Sequence, residues 1–157
     1  MQIHEPSVAV PQNGRAHAVD HYQPHMELAR WLITYELSGA GDVQAESEAA
    51  ERACRKLLDR LARLITPLGC RTLLSRALYL ARVDFPFLPG VEPGVATETL
   101  ASEIGKSAAG IDRAQVHIGL ITLLGTLIGL VALVIGDQLM SRLLLEVWPN
   151  MPVLSGP

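Results

Sequence analysis

The sequence predicts an all-α protein of about five helices, and three features of the chain support this prediction. Apolar residues recur at intervals of three and four in several segments, which is the period of an amphipathic helix. One stretch, residues 118–136, contains 19 consecutive residues without a charge. Prolines and glycines are concentrated between these segments, at positions where they end helices.

The length of 157 residues is typical of one domain and suffices to bury a core without disulfides or metals. We expect a flexible N-terminal arm over residues 1–24, a single helical domain over 25–149 and an irregular tail over 150–157. Only 18% of the residues are charged, against roughly 25% in a typical soluble protein, so the chain has much apolar surface to bury. The N-terminal segment lacks a basic region followed by an apolar one, so we expect no secretory signal.

The clearest amphipathic segments form a predicted antiparallel hairpin over residues 46–82. Its first helix, 46–65, has an apolar stripe opposite charged side chains, and these are acidic at the start and basic later, as the helix dipole favours. Thr66 and Pro67 have the pattern of an N-cap followed by proline at the first helical position. The second helix is therefore predicted to begin at Pro67.

The other boundaries are predicted from breaks in the apolar pattern. A helix over residues 25–37 precedes the hairpin. Residues 84–94 contain three prolines and two glycines, and should form a turn that Phe85 and Phe87 anchor on the core. A short helix is predicted over 97–107, with its first threonine as the cap.

The apolar stretch 118–136 has two interpretations. It is long enough to span a membrane once, and 12 of the 13 Lys and Arg residues precede it, which would place the N-terminal part in the cytoplasm and the helix in the inner membrane. Alternatively, a helix over about 112–136 is the centre of a soluble cytoplasmic bundle, with the hairpin packed on it and an amphipathic continuation that Asp137 caps. We favour the soluble interpretation because no Trp or Tyr flanks its N-terminal end and because the helical pattern continues towards Trp148, which should pack on the core.

A stripe of small residues recurs on this apolar helix at intervals of three and four. Two of its glycines form a GxxxG pattern, which allows close approach of another helix. We expect this stripe to be a helix-packing interface for a protein partner or a second copy of the chain. Its seven residues are Gly119, Thr122, Gly125, Thr126, Gly129, Ala132 and Gly136.

Two leucine-rich blocks, LLSRALYLARVDFPFL (73–88) and IGDQLMSRLLLEVWP (135–149), resemble a pattern of small, uncharacterised bacterial all-helical proteins. The resemblance covers about a fifth of the chain, and it implies a bacterial origin and a soluble helical domain. It assigns no functional residue.

Histidines and cysteines give little indication of chemistry. His17, His21 and His25 have helical spacing, but Pro24 interrupts them and no carboxylate or cysteine completes a metal site. His117 follows Asp112 and Arg113 by about one turn, so a His–Asp pair for proton transfer is conceivable. We favour the simpler interpretation that His117 is a polar residue near the end of a helix. Cys54 and Cys70 lack CxxC spacing and are expected to be buried thiols.

Other functional classes find little support in the sequence. The residues 105–107, Gly-Lys-Ser, lack the earlier glycine and the strand of a phosphate-binding loop. Among the glutamates Glu36, Glu46, Glu48 and Glu51, the last two are explained by the first turn of a helix. The net charge of −3 and the absence of a basic face argue against nucleic acid as a partner. We therefore expect no cofactor and a non-enzymatic interaction or regulatory function exerted through helix packing, with a membrane-anchored protein or a helical enzyme as the alternatives.

Overall fold

The computed structural model describes residues 24–37, 41–90 and 99–152, and within these ranges it contains six α-helices and no strand. The prediction of an all-α fold is confirmed, although with one helix more than the predicted number of about five. The helices are α1 (24–36), α2 (Val43–Leu61), α3 (Pro67–Arg82), α4 (Leu100–Ser107), α5 (Arg113–Ile135) and α6 (Asp137–Val147).

The helices α2 and α3 each begin at a capping residue. Asp42 is the N-cap of α2 and accepts a hydrogen bond from the backbone N–H of Ala45 at 2.8 Å. Thr66 caps α3 in the same way, with 3.0 Å to the N–H of Gly69, so the predicted Thr66-Pro67 boundary is confirmed. Because α2 begins earlier than predicted, its first turn contains Glu46, and the assignment of Glu48 and Glu51 to that turn was wrong.

Two other helix starts differ from the prediction. The helix α4 begins at Leu100 with Thr99 at its N-cap, and residues 91–98, including the predicted cap Thr97, lie outside the described part. Asp137 is the first residue of α6 rather than its cap. The cap is Gly136, whose φ of +90° is rarely adopted by other residues, and this conformation separates α6 from α5.

The long helix α5 occupies the centre of the fold, where it packs against α2, α3 and α6. Thirteen of its 23 residues are buried. The helices α2 and α3 both pack on it as predicted, but they make little contact with each other, because each is held by α5 and α2 also packs on α4 and α6. Most of its apolar side chains belong to one hydrophobic cluster with buried residues of the other five helices. An almost wholly apolar helix needs neighbours on most of its sides, and the bundle supplies them.

Glycines on α5 allow neighbouring side chains to approach its backbone closely. A Cβ at Gly119 would lie 2.7 Å from Cζ of Phe87 and 3.3 Å from Cδ1 of Phe85. These two rings contact each other edge to face with centroids 6.4 Å apart, so the turn after α3 is anchored by its phenylalanines as predicted. At Gly125, a Cβ would lie 2.5 Å from Sδ of Met26, which belongs to α1.

We expect Gly119→Ala to destabilise the protein by about 1–3 kcal/mol, because the added methyl group overlaps the rigid ring of Phe87. Alanine is itself the better helix former by about 1 kcal/mol, so the destabilisation would oppose its intrinsic preference. Urea denaturation followed by circular dichroism measures the difference.

Gly105→Ala is the matched control, since this glycine also lies in a helix but faces only the flexible end of the Gln44 side chain, at 2.8 Å. It should be neutral or stabilising. Equal stability of the Gly119→Ala variant and the original protein would contradict the close contact with Phe87.

Candidate functional site

A groove of about 470 Å³ lies between α1, α5 and α6. Its walls are mostly apolar, with side chains contributed by each of the three helices. Three residues of the predicted packing stripe, Gly129, Ala132 and Gly136, are part of the lining. The apolar walls are formed by Leu28, Ile128, Leu133, Met140 and Leu144.

The other four residues of the predicted stripe lie elsewhere on α5. Gly119 and Gly125 face Phe87 and Met26 of the same chain, so these positions serve internal packing. Thr126 is buried and Thr122 is half-buried. The seven small residues are thus divided between the interior of the bundle and the groove. The sequence could not show this division because it depends on where α1 and the turn after α3 pack.

Three polar residues also line the groove: His25 of α1, and Asp137 and Ser141 of α6. Asp137 and Ser141 are exposed and lie one turn apart on α6. The other two members of the predicted histidine set, His17 and His21, lie outside the described residues. Within residues 24–37, 41–90 and 99–152, no group of three or more His, Cys, Asp or Glu side chains is arranged to hold a metal ion.

A buried glutamate joins three helices near one end of the bundle. Glu36 of α1 is only 7% exposed, and its Oε2 accepts hydrogen bonds from Nζ of Lys56 at 2.7 Å and from Nε1 of Trp148 at 2.9 Å. Arg52 lies 3.5 Å from the other carboxylate oxygen and donates to the backbone carbonyl of Glu36. The predicted packing of Trp148 on the core is confirmed.

These contacts determine the charge state of Glu36. Burial alone would raise the pKa of its carboxyl group, but Lys56, Trp148 and Arg52 together lower the pKa below the ordinary value of 4.5. The carboxylate therefore remains ionised in the folded protein at neutral pH. No sequence signal indicated this contact, since Trp148 is 112 residues from Glu36 along the chain.

A second polar contact joins α2 to α5. Nδ1 of His117 lies 3.0 Å from Oε2 of Glu46, a residue that is only 6% exposed. Oε1 of Glu46 is buried without a hydrogen-bond partner among the described residues. His117 is therefore paired with Glu46 rather than with Asp112, the pairing considered from the sequence and ranked lower. A residue five positions earlier lies off the histidine's face of the helix, whereas α2 packs directly against α5. The neighbouring Arg113 donates instead to the backbone carbonyl of Gly41.

Both cysteines are buried and unpaired, as the sequence predicted. Burial, with a smaller contribution from Glu51, raises the pKa of the Cys54 thiol to about 12. Burial and the negative charge of Asp59 also raise the pKa of Cys70. A thiol with a raised pKa has little of the thiolate form that nucleophilic chemistry requires, so both residues act as core side chains.

No protein-family model, curated protein or solved structure matches this chain. The resemblance of its leucine-rich blocks to small bacterial helical proteins therefore stays a prediction. The candidate site rests on the geometry of the groove and of the residues around it.

We expect Glu36→Gln to destabilise the protein by about 1–3 kcal/mol at neutral pH, because the amide loses the charged partnership with Lys56 and Arg52. Since folding lowers the pKa of Glu36, its stabilising contribution is present above the unfolded value of about 4.5 and is lost as the pH falls through the lower folded value. The difference between the two proteins should therefore shrink on acidification.

Chemical denaturation at a series of pH values measures this difference. Glu48→Gln is the control, because Glu48 is exposed and, among the described residues, its carboxylate accepts only from the side chain of Gln44 on the same helix. A pH-independent difference between the Glu36→Gln variant and the original protein would refute the assignment of an ionised, stabilising Glu36.

Proposed function

We propose that this chain is a non-enzymatic interaction protein that assembles with a second copy of itself through the groove between α1, α5 and α6. The proposal rests on one observation: a groove with small residues in its lining lies beside large apolar side chains that are exposed. Leu133 and Val134, near the end of α5, are 69% and 55% exposed.

The groove and the exposed side chains have the arrangement that a twofold contact requires. In such a contact the same surface is used by both partners, so it has to contain a protrusion and a recess that fit each other. Leu133 is the protrusion, and it lies four residues after Gly129 and three residues before Gly136, on the same side of the helix. The recess next to it is lined by these two glycines and Ala132.

The size and lining of the groove also fit this occupant. A volume of about 470 Å³ can receive several side chains of a helix end. The polar residues Asp137 and Ser141 are exposed in the lining, where they can remain hydrated at the edge of an interface. A regulatory role would then depend on the fraction of the protein that is self-associated.

We propose a cytoplasmic location, which the burial of α5 supports. This helix has a mean hydropathy of 2.7 over its most apolar 18 residues, and it is the one helix among the described residues that is long and apolar enough to cross a membrane. This length and composition favour the alternative of a single-pass anchor in the inner membrane. However, 67% of that window is buried within the bundle, and insertion would expose the apolar face of α3 that packs on it.

A helical enzyme is the third class of function, and His25, Asp137 and Ser141 would be its candidate residues because they line one groove. We prefer the interaction function because the remaining nine lining residues are apolar or glycine. Apolar side chains that are exposed beside the groove, Leu133 and Val134, add to this apolar surface, which is typical of a protein contact.

The change Leu133→Asp should weaken self-association, because it would place a charge in the apolar contact at the centre of the proposed interface. Sedimentation equilibrium over a range of protein concentrations measures the dissociation constant, which should rise at least about tenfold. Val83→Asp is the matched control, since Val83, the residue that follows α3, is 73% exposed and does not line the groove, and this variant should associate like the original protein.

Two outcomes would overturn this proposal. One is a full-length protein that remains monomeric at every concentration tested. The other is equal weakening of association by both aspartate variants.

Residues 1–23 are the alternative occupant within the same chain, since they precede Pro24 in the lining. A monomeric full-length protein that dimerises when residues 1–23 are deleted would assign the groove to that segment.

A further inference from the structure

A second surface with different chemistry lies between the end of α2 and the outer face of α6. We refer to it as the α2–α6 cleft, and its cavity of about 120 Å³ shares no residue with the groove described above. Three arginines, three leucines and one glutamate line it. These residues are Arg60, Arg63, Leu64, Leu139, Arg142, Leu143 and Glu146.

The charge of the α2–α6 cleft is unbalanced. Arg60 donates to Oε1 of Glu146 at 2.6 Å, so these two charges compensate each other. Arg63 and Arg142 are exposed and have no ion-pair partner within the described part of the chain. Two positive charges therefore remain at this site on a chain with a net charge of −3.

The same cleft exposes apolar surface between its arginines. Leu64 is 50% exposed and Leu139 is 36% exposed, and Leu143 closes the inner wall as a buried residue. An apolar cavity of about 150 Å³ accommodates a molecule the size of benzene. The smaller cavity here is suited to a single aliphatic side chain.

We propose that the α2–α6 cleft binds an acidic segment of a partner protein. The segment inserts one leucine-sized side chain between Leu64, Leu139 and Leu143. Carboxylates that flank this side chain pair with Arg63 and Arg142, whose guanidinium groups match carboxylates in planar two-point contacts. The positive charge also attracts acidic partners to this surface, whereas the net negative charge of the rest of this protein repels them.

An anionic membrane fits the cleft less well. Recognition of anionic lipids by basic clusters uses about four to eight Lys or Arg residues at one site, whereas this cleft has two unpaired arginines. Its apolar part is a cavity for one side chain rather than a broad face that enters a lipid layer. Binding to anionic lipid vesicles is nevertheless measured as a second possible outcome.

The probe is a fluorescein-labelled peptide in which one leucine is flanked on both sides by glutamates, titrated with the full-length protein and followed by fluorescence anisotropy. We expect saturable binding that weakens with added salt. The double variant Arg63→Gln/Arg142→Gln should bind at least about tenfold more weakly, because it removes both charge-assisted contacts. Replacing the peptide's leucine by alanine should also weaken binding, and replacing its glutamates by lysines should abolish it.

The control variant is Arg71→Gln/Arg76→Gln, which removes the same charge from two exposed positions of α3. It should bind the peptide like the original protein, and circular dichroism should show equal folding of both variants. Equal loss of binding in the two double variants, or no saturable binding of the peptide, would overturn the proposal.

The lipid experiment is sedimentation of the protein with phosphatidylserine vesicles. If the protein does not bind the peptide but sediments with the vesicles, and this requires Arg63 and Arg142, the cleft is assigned to a membrane surface instead. Because Leu133 is not part of the cleft, failure of this proposal is distinguishable from failure of self-association through the groove.

Discussion

The structure depends on covering α5, a helix of 23 residues with almost no polar surface. Exposure of such a helix to water would carry a large hydrophobic cost, so the amphipathic faces of the other helices are arranged around it. The helices α2 and α3 cover much of α5, and α6 packs against it after the break at Gly136. Glycines on α5 let Phe87 and Met26 approach its backbone closely, so the neighbouring side chains pack against this helix without gaps at these positions.

Two buried carboxylates add specific contacts to this apolar packing. Apolar surfaces alone tolerate several relative positions, whereas a polar group in the interior favours the position in which it has a hydrogen-bond partner. Glu36 links α1, α2 and the residue after α6, and Glu46 links α2 to α5 through His117. The same packing leaves two surfaces incompletely covered: the apolar groove beside Leu133 and the basic α2–α6 cleft.

The sequence predicts those features that depend on neighbouring residues. The period of the apolar residues indicates the helices, Thr66 and Pro67 define a boundary, and the charge-free stretch identifies the central helix. Contacts between distant residues have no such signal: His117 and Glu46 are 71 positions apart. The small-residue stripe shows the limit clearly, because spacing places its members on α5 but cannot distinguish Gly119, which contacts phenylalanines of the same chain, from Gly129, which lines a groove.

We propose that α5 is the interior helix of a bundle that folds in water. Cells that express the full-length protein can be fractionated and their membranes washed with alkaline carbonate to test this proposal. We expect recovery in the soluble fraction, purification without detergent and a helical circular dichroism spectrum that is lost in one cooperative transition. Retention in the carbonate-washed membranes would contradict it, because α5 would then be in contact with lipid rather than with α2, α3 and α6.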